Sequence, residues 1–251
     1  MIQWQQRLKA ASIHFGLSVT VAAMAAALVF GLWYPYPYRE ISGGRELFTL
    51  LVTVDVILGP LLTFAIFNRA KPMSELRRDL AVVALLQLAG LGYGLWTVFE
   101  ARPVHLVFEI DRFRVVHAID VPEDLLSKAP QGIDALPLAG PTLLAVRPFV
   151  DEAEKTSATL AALQGVSLSS RPDLWRGYDA ARPDVLKVAK PLADLKRRFP
   201  ARATEIDAAL KGVAGADAAM YVPLAGRKSF WTVFVDPTRA QPIAFMPLDS
   251  F

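Results

Sequence analysis

The sequence contains no cysteine, which excludes disulfides, thiolate zinc sites, iron–sulfur clusters and a cysteine nucleophile. Histidine is scarce as well, with only His14, His105 and His117. No GxSxG, HExxH, Walker or EF-hand string occurs, and no aspartate–histidine–serine set can be placed together. These absences leave no residue to which catalysis, a cofactor or a metal can be assigned. The most informative absence is charge: residues 13–33 and 80–99 contain no Asp, Glu, Lys or Arg, and residues 47–67 contain one, Asp55.

Those three runs are what a bilayer demands. A hydrocarbon core of roughly 30 Å takes about 20 apolar helical residues, and the chain is 53% hydrophobic with a mean hydropathy of +0.34. The pattern predicts three transmembrane helices at about 13–33, 47–67 and 80–99 within a membrane domain over 1–100, and a second domain over 101–251. The first run reads as a retained anchor. It exceeds the apolar stretch of a cleaved signal peptide, and its small residues lie inside the run rather than after it.

Charge sets the expected orientation. Residues 1–99 carry eight Lys/Arg against five Asp/Glu, whereas 100–251 carry nineteen of each. The net charge of +3 thus lies in the membrane half, and it reflects residues flanking spans rather than a nucleic-acid surface. Arg7 and Lys9 precede the first span, and Arg69, Lys71, Arg77 and Arg78 lie between the second and third. The first connection has Arg39 and Arg45 matched by Glu40 and Glu46. By the positive-inside rule the N-terminus and second connection face the cytoplasm, and residues beyond 100 face the opposite side.

Two features in the membrane half are candidates for binding. Trp33, Tyr34 and Tyr36 stand in the string WYPYPY, where alternating prolines forbid a helix. This reads as an interfacial aromatic belt or, alternatively, as a strip for docking a partner. Asp55 is the second feature. A carboxylate at mid-span costs about 2.5–3.5 kcal/mol and normally faces protein or water. Counting from the cytoplasmic ends puts Tyr93 at nearly the depth of Asp55, so a hydrogen bond between them is expected, with Gln87 the weaker candidate. The carboxylate serves either as a polar clasp between spans two and three or as a dock for a positive group on another helix. Gly59-Pro60 follows and is expected to kink span two.

In the second half, 104–110 and 113–119 alternate around Asp111-Arg112, predicting a β-hairpin. That register pairs Ile110 with Phe113, Phe108 with Val115 and Leu106 with His117. It places Glu109 opposite Arg114 as a cross-strand ion pair and puts His105 and His117 on opposite faces. A strand at 143–149 and a helix over 152–164 follow, then helical pieces over 171–211 broken at Pro172, Pro183, Pro191 and Pro200. Strands at 220–224, 230–235 and 243–246 close the chain. The fold class is an α+β membrane protein: three transmembrane helices followed by a small periplasmic α+β domain with antiparallel strands.

Several strings taken together resemble the type IV pilin accessory protein family. These are WYPYPY, GG at 43–44, VDVILGPLLTFAIF at 54–67, LLQLAGLGYGLWTVFEARPV at 85–104, DRF at 111–113, and the closing YVPLAGRKSFWTVFVD and FMPLDSF. The resemblance covers both halves and is loose over about 120–215. It implies an inner-membrane protein of piliated Gram-negative bacteria, without enzymatic activity, that assists or modulates pilin assembly. Its partners would be membrane lipid and a type IV pilin, with no cofactor, nucleic acid or identified small-molecule substrate. The family defines no catalytic residue to carry over. A membrane-anchored periplasmic ligand-binding or sensor protein, or a small transporter subunit, is the alternative reading.

Overall fold

The computed structural model describes residues 2–251. The chain forms two compact units. The helical unit comprises the described residues through Pro35 together with Gly44–Ala101, and the sheet unit comprises Tyr36–Gly43 with Arg102–Phe251.

In the helical unit, α1 (Ile2–Leu28) ends in a wider helical turn at Val29–Trp33. In chain order come α2 (Tyr38–Ile41), a single turn belonging to the sheet unit, then α3 (Gly44–Ile66) and α4 (Met73–Glu100). Gln3–Trp33, Gly44–Ile66 and Met73–Glu100 are each long and apolar enough to cross a membrane. The helices outrun the predicted spans because backbone hydrogen bonding continues past the hydrocarbon edge, where charged residues are at no disadvantage. Gly59-Pro60 does not end α3, which runs through to Ile66.

α1 and α4 both pack on α3. Trp4 meets Phe64 with ring centroids 5.2 Å apart, His14 shares a 2.5 Å hydrogen bond with Thr63, and Phe30 packs edge-on to Phe48. Gly94 lets α4 approach Leu51 of α3, where a Cβ would collide. Close approach through small residues is how helices associate where lipid removes the hydrophobic drive between them.

The sheet unit is built on β1 (Pro103–Glu109), β2 (Arg112–His117), β3 (Thr142–Val146), β4 (Trp175–Gly177), β5 (Lys190–Pro191), β6 (Met220–Ala225), β7 (Phe230–Val235) and β8 (Pro242–Met246). The order is β4-β3-β1-β2-β6-β7-β8, with β5 beside the start of β6. The expectation of antiparallel strands needs correction, because β1 with β3 and β2 with β6 are parallel pairs. Local alternation reveals hairpins; pairings between strands distant in sequence leave no such mark. Pro223, inside β6, stands opposite Thr232 of β7 and falls between the residues that pair with β5 and those that pair with β2.

The first hairpin is real, but its turn is Ile110-Asp111, and Phe108 pairs with Phe113 and Leu106 with Val115. The register moves by two positions, so each side chain keeps its face. Glu109 still binds Arg114 Nε at 2.7 Å, now diagonally. Ile110 turns at φ +56°, a conformation rare for a β-branched residue.

Helices α5 (Glu152–Leu163), α6 (Arg182–Val188), α7 (Leu192–Arg198) and α8 (Ala203–Ala209) complete the unit. Asp151 caps α5 by accepting from the Glu154 amide at 2.7 Å. Arg147 holds the Glu154 carboxyl down to about 2 through two hydrogen bonds. Pro183 opens α6 rather than breaking it, since the first turn needs no proline N–H.

The sheet is covered on both faces, which is why β1 is buried along its whole length. One face packs Leu106, Phe113, Leu224 and Val233 against Tyr178 and Val185. The other carries one cluster around Trp175 and Val107, and another in which Leu195 and Ile206 cover Tyr221 and Phe234. The first cluster also contains Ile41, fully buried, from the short segment between the first two long helices. In the same segment Tyr38 packs edge-on to Phe245 at 5.9 Å, and burial pushes its phenol well above the usual range. Gly226 makes room for Ile41, whose Cγ2 would lie 2.8 Å from an added Cβ.

Candidate functional site

An apolar groove of about 420 Å³ runs between α3 and α4. Leu50, Val54 and Leu58 form one wall, Leu86, Gly90 and Tyr93 the other, and Asp55 and Gln87 are its polar members. A smaller crevice of about 160 Å³, lined by His14 and Ser18 of α1, reaches the same Asp55 and Gln87 from the other side. The pair therefore forms a partition between the two spaces.

The partner of Asp55 is Gln87, not Tyr93. Gln87 Nε2 donates to the Asp55 backbone carbonyl at 3.0 Å and to Oδ1 at 3.2 Å. Tyr93 is 69% exposed and stacks obliquely on Trp96, lining the groove without reaching the carboxylate. Six residues separate Gln87 from Tyr93, which moves the latter by about 9 Å along α4 and turns it by about 240° around the axis; the count of depth starts at residue 80, whereas α4 begins at Met73.

Gly59 and Pro60 have separable parts in this arrangement. A Cβ on Gly59 would collide with the Gln87 amide, so glycine is what admits that side chain. Pro60, lacking an N–H, leaves the carbonyl of Val56 without its usual helical donor, one residue beyond the carbonyl that Gln87 engages. Asp55 Oδ2 has no protein partner among the described residues. One neutral amide satisfies only part of a carboxylate's hydrogen-bonding capacity, and the rest is open to a donor or a cation entering the groove.

The aromatic string divides. Tyr34 is fully buried in the helical unit, its hydroxyl donating to the Val98 carbonyl at 3.0 Å and its ring occupying the space beside Gly44. Its side chain packs inside the helical unit and so presents no surface to the interfacial or docking strip expected of Trp33, Tyr34 and Tyr36. Trp33 is half-buried against Phe99 at 5.0 Å. Tyr36 belongs to the sheet unit, is 68% exposed, and lies under the Arg39 guanidinium.

The histidines are separately engaged. His105 binds Thr142 Oγ1 at 2.6 Å and the Ala135 carbonyl at 3.0 Å, while His117 binds Asp120 at 3.1 Å. Burial lowers the His105 imidazole to about 4 despite its bond to Ala135. Among the described residues no group of three His, Asp or Glu is placed to hold a metal ion.

Three apolar helices followed by a mixed sheet domain define an α+β membrane protein with a partly satisfied intramembrane carboxylate. The sequence model of the family described as "Fimbrial assembly protein FimB" matches residues 2–43. The chain is 37% identical over 231 residues to "Fimbrial assembly protein, serogroup I" of Dichelobacter nodosus, covering 91% of this chain and 90% of that protein. It is 36% identical over 231 residues, with the same coverage, to the serogroup E1 protein of that organism. It is 43% identical over 123 residues to the serogroups C1 and C2 protein, covering 49% of this chain and 92% of that one. No solved structure matches. The chain belongs to the fimbrial assembly protein family.

Proposed function

We propose that this chain is a non-enzymatic accessory of fimbrial assembly in the bacterial inner membrane. Its N-terminus faces the cytoplasm and its sheet unit the periplasm, as the distribution of Lys and Arg around the spans supports. The partner is the fimbrial subunit, a type IV pilin, engaged in the bilayer by the α3–α4 groove and in the periplasm by the sheet unit.

The observation that carries the reading is the state of Asp55. It is an expensive carboxylate at the wall of an apolar groove, bound on one oxygen by Gln87 and, among the described residues, without a partner on the other. A pilin awaiting assembly carries an apolar N-terminal helix that ends in a positive amine. The groove offers such a helix apolar walls, small residues for close approach and one anionic acceptor.

The test is co-purification of the fimbrial subunit with the full-length protein and with correctly inserted Asp55→Asn and Asp55→Ala variants. Capture should fall with both substitutions, most with Asp55→Ala. Undiminished capture by both would remove Asp55 from this role.

A further inference from the structure

We infer that the crevice at the carboxyl ends of β2 and β6 is a binding site for an organic acid that also carries a hydroxyl group. β2 and β6 are parallel neighbours in the middle of the sheet. The chain leaving β2 travels toward β3, beyond β1, whereas the chain leaving β6 turns the other way into β7. Two parallel strands whose connections diverge in opposite directions leave a crevice between their exits, and open α/β sheets bind ligands in such crevices. Here the space measures about 580 Å³, within the range of small-molecule sites.

Its lining specifies the ligand. Ile119, Val121 and Val166 supply apolar wall. Arg114 and Arg227 are its cations and Asp120 its one acidic residue. Arg114 is already committed through Nε to the buried Glu109, at 2.7 Å. Arg227 is half-exposed and lies 3.8 Å from Asp120 Oδ1, so its guanidinium retains donors for a second carboxylate.

The hydroxyl requirement comes from His117. The residue is 1% exposed and lines the crevice. Its Nδ1 lies 3.1 Å from Asp120 Oδ2, and a carboxylate can only accept, so Nδ1 carries the proton. Nε2 is buried with no hydrogen-bond partner among the described residues. Buried polar atoms are seldom left so, and a hydroxyl, which can both donate and accept, suits that nitrogen with or without a proton. Asp120 thus orients both recognition groups: the cation that takes a carboxylate and the ring whose other nitrogen is left for a hydroxyl.

The site abuts the segment between the first two long helices. Gly226, in the crevice lining, is the residue against which Ile41 packs. Occupancy would therefore be felt next to the segment whose two ends continue into α1 and α3.

The experiment uses full-length protein in lipid nanodiscs and fluorine NMR line broadening of para-fluoromandelate, a hydroxy acid with an apolar ring. The comparison compounds are para-fluorophenylacetate, which lacks the hydroxyl, and the methyl ester of para-fluoromandelate, which lacks the charge. Saturable broadening beyond empty nanodiscs is expected for para-fluoromandelate, about tenfold weaker for para-fluorophenylacetate and absent for the ester. Arg227→Gln should weaken both acids about tenfold, with restoration by Arg227→Lys. His117→Gln should bring the hydroxy acid down to the level of para-fluorophenylacetate. Absence of saturable broadening, broadening by the ester equal to that by the acid, or indifference to Arg227→Gln would each overturn the assignment. The ester and Arg227 arms decide the matter even should His117→Gln fail to fold.

Discussion

Gln87 reaches Asp55 across the α3–α4 contact only because residue 59 has no side chain. The contact is thus a three-residue arrangement, and its members should not act independently. Gly59→Ala should destabilise the helical unit by about 1–3 kcal/mol through overpacking. Gln87→Ala in the same chain should recover much of that, giving a coupling energy of at least about 1 kcal/mol in a double-mutant cycle. Unfolding in mixed detergent micelles measures it, and additive losses would show that the collision is relieved elsewhere.

Ile41 is a core residue of the sheet unit although it lies between two long apolar helices in sequence. Ile41→Ala should cost that unit about 2–5 kcal/mol and Ile41→Val about 0.5–1.5 kcal/mol. Thermal unfolding followed by tryptophan fluorescence, with limited proteolysis of the sheet unit, would register both. An unchanged midpoint for Ile41→Ala would place the segment outside the cooperative core.

His105 gives the sheet unit a defined sensitivity to acid. Burial lowers its imidazole from 6.5 in the unfolded chain to about 4, so folding favours the neutral ring. The associated stability is fully present above pH 6.5 and is lost as pH falls toward 4, because the unfolded chain takes up the proton first. The loss amounts to about 3 kcal/mol. Denaturant titrations across that window should show the slope in the parent and its absence in a folded His105→Gln variant.

Ile110, at φ +56° and 72% exposed in the hairpin turn, should be improved by glycine. Ile110→Gly removes a left-handed penalty of about 1–2 kcal/mol, offset in part by added freedom of the unfolded chain. A net gain of about 0.5–1 kcal/mol is expected, visible as a raised unfolding midpoint.

The membrane spans were legible because a bilayer imposes a one-dimensional rule: about 20 residues without charge. The strands at 104–110, 220–224 and 230–235 were legible because alternation is local. The partner of Asp55 was not, since depth along a helix can be counted from sequence while rotation about its axis depends on packing. Tyr93 met the counted depth but lies elsewhere around and along α4, whereas Gln87, which the count placed closer to the cytoplasm, is the residue that reaches the carboxylate. The parallel pairing of β2 with β6 lay beyond reach for a related reason: Phe113 and Leu224 are neighbours across more than a hundred intervening residues. The crevice beside them, with Arg227 and His117 converging on Asp120, exists only once that pairing is made.

The placement of Tyr36–Gly43 with Arg102–Phe251 is also a condition on biogenesis. α3 and α4 lie between these two stretches, so in the topology proposed above the core around Ile41 closes only when that helical pair returns the chain to the compartment it left. A chain in which either helix fails to insert would strand Ile41 on one side of the bilayer and the sheet on the other. Completion of the fold is therefore a built-in check that membrane insertion has succeeded.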